Sequence, residues 1–197
     1  MSDPLKIEPE PEFSLELQES DDEWATRILT SSPFSDLIST WQEARPEGGQ
    51  NQKLPTTDTL TAEKMSAYLQ DISIFDCISE DEIVYRFVGT RIAERMGHDV
   101  TGENLLELSD VASRAQIKKI LLGVIRIPQI SLSLYINNYS SGRQADVISL
   151  LLPVEGPKNK PPRIIALHSR ASTREYLNKR NKIQIGTSIE RQISFSI

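Results

Sequence analysis

Apolar residues in this chain recur with two periods, and those periods divide it into elements. Phe34, Leu37, Ile38 and Trp41 fall at i, i+3, i+4 and i+7, the stripe of an amphipathic helix. Ser32 and Pro33 supply its start signals, and Pro46 sets its end. A shorter helix at 22–30 around Trp24 and Ile28 precedes it. Thr61 opens another over 62–69, with Met65, Tyr68 and Leu69 inward. Residues 70–77 and 82–88 carry β-branched and aromatic residues around the polar turn Ser79-Glu80-Asp81, which predicts an antiparallel hairpin. Thr90 starts a short helix through Arg95 with Ile92 and Met96 on one face, and Gly97 suits the left-handed position after it. A short piece holds Leu105, Leu106 and Leu108. A longer helix then begins at Ser109 or Asp110, faces inward with Ile117, Ile120, Leu121 and Val124, and stops at Pro128.

Three strands follow. From Ser131 to Tyr139 the pattern alternates, with Leu132, Leu134 and Ile136 on one side and Ser131, Ser133 and Asn137 on the other. Ala145 to Val154 and Arg163 to Ser169 are apolar on both faces, separated by a proline-rich loop. Two strands, a helical block and three strands predict an α+β fold built on one antiparallel sheet. The doubly apolar strands require the outer face to be covered, by the 33–45 helix or by another subunit.

Charge adds organisation to this pattern. The 197-residue chain carries a net charge of -6, but residues 1–23 hold nine acids and a single base, leaving 19 acids against 21 bases elsewhere. Three early prolines among glutamates read as extended and disordered. Residues 1–31 are therefore expected to be an acidic, largely disordered tail, 32–172 the domain, and 173–197 a basic extension. Over 170–191 the basic residues Arg170, Arg174, Lys179, Arg180, Lys182 and Arg191 outnumber Glu175 and Glu190, and Tyr176 is the one aromatic. A single-strand nucleic-acid binder would interleave aromatics, so nucleic acid is not the expected partner. The one cysteine, Cys77, excludes an intrachain disulfide and a thiolate-only zinc site, and no metal is expected. No stretch is apolar enough to span a bilayer, and the acidic N-terminus lacks a signal-peptide core, so a cytoplasmic location is expected.

The order of elements resembles that of a PAS sensory domain, and local motifs sharpen the likeness. Tyr85-Arg86-Phe87-Val88-Gly89-Thr90, then Ile92, then Gly97-His98-Asp99-Val100-Thr101-Gly102 looks like the central motif of a bacterial PAS subfamily found largely in alphaproteobacteria. Trp41, Arg45-Pro46, Gly48-Gly49, Leu54-Pro55 and Asp58 match its upstream segment. The resemblance covers residues 37–172. It implies a five-stranded antiparallel sheet with helices on one face and a flanking N-terminal helix. It also implies a ligand cup, lined here by Ile74, Phe87, Ile92, Met96, Leu106, Ile117, Leu121, Leu134 and Ile164, with His168 at its edge. Pairing through an N-terminal helix would place Phe34, Leu37, Ile38 and Trp41 at a homodimer contact.

The chemistry of catalysis is missing. The sequence has no phosphate-binding glycine loop, no His-Glu-x-x-His and no Gly-x-Ser-x-Gly elbow, so no catalytic residue is named. A flavin photosensor of this fold would need an Asn-Cys-Arg pattern, and a His-ligated haem would need a histidine in 110–126; neither is present, and the cofactor stays unknown. Cys77 reads as a small buried hydrophobe, and His98 and Asp99 as turn residues. The expected function is a non-enzymatic sensory module that binds a small ligand or a protein partner. The alternatives are a small-molecule enzyme or carrier, or a nucleic-acid regulator using the basic segment.

Overall fold

A computed structural model describes residues 19–46, 54–139, 143–175 and 186–197. Most of the acidic tail, Gly48-Gly49 and Lys179, Arg180 and Lys182 of the basic segment lie outside them. The elements are α1 (Asp21–Leu29), α2 (Phe34–Glu43), β1 (Ile72–Cys77), β2 (Ile83–Val88), α3 (Thr90–Met96), α4 (Leu105–Leu108), α5 (Val111–Arg126), β3 (Gln129–Asn138), β4 (Arg143–Val154), β5 (Arg163–Glu175) and β6 (Gly186–Ser196). The strands form one antiparallel sheet in the order β2-β1-β5-β4-β3-β6.

Local signals explain most of the boundaries. Ser20 and Glu23 close a reciprocal capping box at the start of α1, and Asp110 accepts from the Ser113 amide at 2.8 Å to start α5. Gly97 takes φ 90° after α3, where a side chain would be strained. Three expectations shift. The Ser32 hydroxyl donates to Asp36 rather than capping a backbone amide, so α2 begins at Phe34. Residues 62–68 form turns, and only Leu69–Asp71 is helical, as a single 3-10 turn. The segment expected as a tail through residue 31 holds α1, whose Trp24 and Ile28 are buried; farther on Pro55 accepts from the Glu155 amide, and Leu60 and Met65 are buried.

The sheet is covered on both faces, α3 to α5 on one and the flanking N-terminal helices on the other, as its doubly apolar strands require. Its faces differ in size. The outer face carries Ile72, Ile130, Leu132, Leu150, Leu152, Ile165 and Leu167, packed under Trp24, Ile28, Phe34, Leu37 and Trp41 of α1 and α2. Phe34, Leu37 and Trp41 are 3%, 0% and 0% exposed in the single chain, and Ile38 is half-buried. The residues assigned to a dimer contact are thus spent covering the chain's own sheet. Trp41 Nε1 donates to the Pro153 carbonyl at 2.9 Å, fixing α2 across that face.

The inner face, under α3 to α5, is built from shorter residues at its centre: Ser73, Ser131, Ser133, Ala145, Ser149 and Ala166. Larger residues such as Phe75, Ile83, Tyr85 and Val147 ring that centre. A sixth strand completes the sheet, where five were expected. β6 pairs along the whole of β3, so residues 186–196 belong to the sheet rather than to a free basic extension. Its Arg191 donates to the Glu19 carbonyl at 3.2 Å and lies over the Trp24 ring, tying the end of the chain to α1.

Candidate functional site

The short inner-face residues leave space. A cavity of about 110 Å³ lies between the sheet centre and helices α3 to α5. Its helix side is mostly apolar, with Ile92 and Met96 from α3, Leu105 from α4, and Ile117, Ile120 and Leu121 from α5, joined by Arg95 of α3 and by Ser109. Its sheet side is polar, with Ser73, Ser133, Tyr135, Asn137, Ser149 and His168. The pairing register aligns part of this set. His168, Ser149 and Ser133 are direct cross-strand neighbours on β5, β4 and β3, so they make one polar row across the cavity floor. β6 adds Thr187 and Ile189 at the rim.

Hydrogen bonding in this wall is partly complete. The Tyr135 hydroxyl lies 3.0 Å from His168 Nδ1. Asn137 accepts from Thr187 at 2.7 Å and donates to Tyr139 at 3.3 Å. Four buried atoms of lining residues have no hydrogen-bond partner: Ser73 Oγ, Ser133 Oγ, Arg95 Nε and His168 Nε2. Ser73 and Ser133 are 1% and 4% exposed. An unmade hydrogen bond of this kind costs about 1–3 kcal/mol each.

The electrostatics are one-sided. Among the described residues, Arg95 is the single charged lining residue and no carboxylate lines the cavity. Burial, with the Arg95 charge second, pushes the His168 pKa down to about 3, so its ring is neutral near pH 7. Burial likewise raises the phenols of Tyr85 and Tyr135. The wall therefore offers neutral hydroxyls and a neutral imidazole beside one guanidinium.

Five residues read from the sequence as cup lining do line this cavity: Ile92, Met96, Ile117, Leu121 and His168. Leu106 and Ile164 pack in the inner core without reaching it. Ile74, Phe87 and Leu134 lie in the outer core, on the opposite face of the sheet. Two causes account for the inversion. On β3 the apolar side was taken as inward, but α1 and α2 claim it. On β2 the register slips opposite Ile74 and Phe75, so Phe87 turns to the outer face. The signal that was missed is the run of small polar residues on strands whose other face is apolar, Ser73, Ser133 and Ser149 above all.

The motif from Tyr85 to Gly102 holds one end of the cavity. The Gly102 amide donates to the Tyr85 carbonyl at 2.7 Å, and the Tyr85 amide donates to the Glu103 carbonyl at 3.0 Å, so the loop after α3 folds back along β2. Asp99 accepts from the amide and hydroxyl of Thr101 at 2.9 and 2.7 Å, and those bonds hold its carboxyl below the usual range. Asn104 then caps α4 and accepts from the Ile83 amide at 3.2 Å. Arg95 and Met96 are presented to the cavity by this closed loop. Cys77 is buried at the end of β1, away from the lining, and burial pushes its thiol up to about 12. His98 pairs with Glu103 at 3.0 Å near the surface.

Sequence comparison decides the family. The PAS domain family matches residues 29–168. The chain belongs to the PAS domain family. No curated protein sequence matches it. Solved structures with a similar chain course include the PAS-B domain of Drosophila melanogaster Cycle with bound glycerol, at 16% identity and TM-score 0.40, covering 50% of this chain and 97% of that one. Vibrio cholerae VqmA in the absence of target DNA matches at 20% identity and TM-score 0.43, covering 56% of this chain and 52% of VqmA. RsLOV matches at 18% identity and TM-score 0.41, covering 55% and 66%. Among the described residues of this PAS chain, no helix is long and apolar enough to cross a membrane, and no cluster of His, Cys, Asp or Glu could hold a metal ion.

Proposed function

We propose that this chain is a non-enzymatic sensory module of the PAS family that takes a small molecule into the cavity and relays occupancy to a protein partner, which includes a second copy of itself. The observation that carries this reading is the set of four buried polar atoms without partners around a preformed space. A cavity that existed only by packing error would be apolar and would leave no donors unmet. Spacing of Trp41, Arg45-Pro46 and the Tyr85–Gly102 motif supports membership of the bacterial subfamily, and a cytoplasmic setting belongs to the same proposal.

The relay runs through β6. Thr187 and Ile189 meet the cavity, and Arg191 lies beyond the register slip opposite Leu134 and Tyr135. That slip turns Arg191 to the outer face, where it holds Glu19 and covers Trp24. A ligand that moves β6 thereby alters the docking of α1, the element nearest the acidic N-terminal segment. The test is to purify the protein, denature it and identify released small molecules by mass spectrometry, then add them back and follow amide exchange in β6 and α1. Retention of a compound with slowed exchange in both elements supports the proposal. A protein that releases nothing, and whose exchange no metabolite pool alters, refutes it.

A further inference from the structure

This inference rests on the cavity taking a ligand and names that ligand's chemistry. The open polar atoms are biased toward donors. The Tyr135 hydroxyl is bonded to His168 Nδ1. In the tautomer in which Tyr135 donates to Nδ1, the neutral imidazole carries its proton on Nε2, the atom left without a partner. Arg95 Nε can only donate. Ser73 and Ser133 hydroxyls can donate as well as accept. The missing group is therefore an acceptor that can take several N–H and O–H donors at once.

Charge narrows the class. Arg95 lines the cavity without any ion pair to a described carboxylate, and the lining itself holds no acid to neutralise it. An anion supplies what the wall lacks, and guanidinium with carboxylate is the strongest of the common pairings. The opposite wall of Ile92, Met96, Ile117 and Ile120 requires the rest of the molecule to be apolar. A cavity of about 110 Å³ sets its size. An engineered apolar cavity of roughly 150 Å³ accepts benzene, so this smaller one takes no more than about six non-hydrogen atoms. We propose that the cavity binds a small monocarboxylate with a short, branched apolar tail, its carboxylate against Arg95, His168 and the serine hydroxyls and its tail between α3 and α5.

The experiment is calorimetric titration of the full chain with 2-methylpropanoate and, in parallel, with its neutral analogues 2-methylpropanamide and 2-methylpropan-1-ol. The carboxylate is expected to bind at least about tenfold tighter than either analogue. Arg95→Gln should weaken it by a similar factor, Arg95→Lys by less, and Ser133→Ala by a few-fold, each variant first shown to melt cooperatively. Amide shifts confined to α3, α5 and the centre of β3 to β5 should accompany binding. Equal binding of the neutral analogues, or an unaltered affinity in Arg95→Gln, overturns the carboxylate class while leaving a ligand-binding cavity. Binding of none of the three, with no shift at cavity residues, overturns the class and counts against the cavity as a ligand site.

Discussion

Replacing His168 with glutamine removes the one titrating ring in the cavity wall and keeps an acceptor for the Tyr135 hydroxyl. In the folded chain the ring sits 3.0 Å from that hydroxyl, and burial together with Arg95 lowers its pKa from 6.5 to about 3. Burial raises the phenols of Tyr135 and Tyr85 beside it, so both are neutral below pH 8. The unfolded chain binds a proton at this histidine near pH 6.5, and the folded chain does not until near pH 3. Between those values unfolding takes up a proton, so acid favours the unfolded state. The histidine's contribution is complete above pH 6.5 and is lost as pH falls toward 3. The loss amounts to about 1.4 kcal/mol at pH 5.5 and about 2.7 kcal/mol at pH 4.5. For a chain of this size each kcal/mol moves the melting temperature by about 2–4 °C. Between pH 7.5 and 4.5 the native protein should therefore lose about 5–11 °C more than His168→Gln. Urea unfolding followed by circular dichroism at pH 7.5, 6.5, 5.5 and 4.5 measures the same difference as free energy. Surface carboxylates and the His98–Glu103 pair are common to both proteins and cancel in the comparison. Parallel stability curves for the two proteins would refute the reasoning, because the ring would then take up its proton without unfolding.

Four further outcomes are expected. Trp41→Phe removes the indole donor and leaves the buried Pro153 carbonyl unpaired, so the urea midpoint should fall by the equivalent of about 2–3 kcal/mol; a change below ~0.5 kcal/mol would mean that α2 is not held there. Gly89→Ala places a Cβ 2.3 Å from the Leu69 carbonyl oxygen and 2.4 Å from that of Gln70, both backbone atoms, and should abolish cooperative unfolding. Gly97→Ala meets open space and only the strain of φ +90, and should cost about 1–2 kcal/mol by the same measurement. Cys77, its thiol raised to about 12 by burial and then by Asp76, should resist iodoacetamide at pH 8 until urea unfolds the chain; rapid alkylation of the native protein would contradict its placement.

Element type was legible wherever the period was long enough. Ile117, Ile120, Leu121 and Val124 announce α5, and the alternation from Ser131 announces β3. What a single strand cannot announce is which of its faces meets which layer. Leu132 and Leu134 satisfy an inward reading as well as an outward one, and only the docking of Trp24, Leu37 and Trp41 settles the matter. The slip in β2 opposite Ile74 and Phe75 is invisible in composition, yet it moves Phe87 from one core to the other. β6 was hidden by its charge. Ile189, Ile193 and Phe195 recur at strand positions, but Glu190, Arg191 and Gln192 among them read as a solvated segment until β3 is there to pair with.

The two faces of the sheet follow opposite rules, and that contrast bears on function. On the outer face large aliphatic side chains meet two helices at near-complete burial, which is the arrangement that stability favours. On the inner face serines occupy the centre, where valine or leucine would both fill the space and remove unmet hydroxyls. Each unmet group costs about 1–3 kcal/mol, and the void forfeits contact as well. Cavity-filling variants such as Ser133→Val therefore offer this chain an accessible gain in stability. A folded chain that retains Ser73, Ser133, Arg95 and His168 around an unfilled space departs from the rule its other face obeys. Such local departures in an otherwise consistent structure are where a site is expected, because the partners absent from the protein are those a bound molecule supplies.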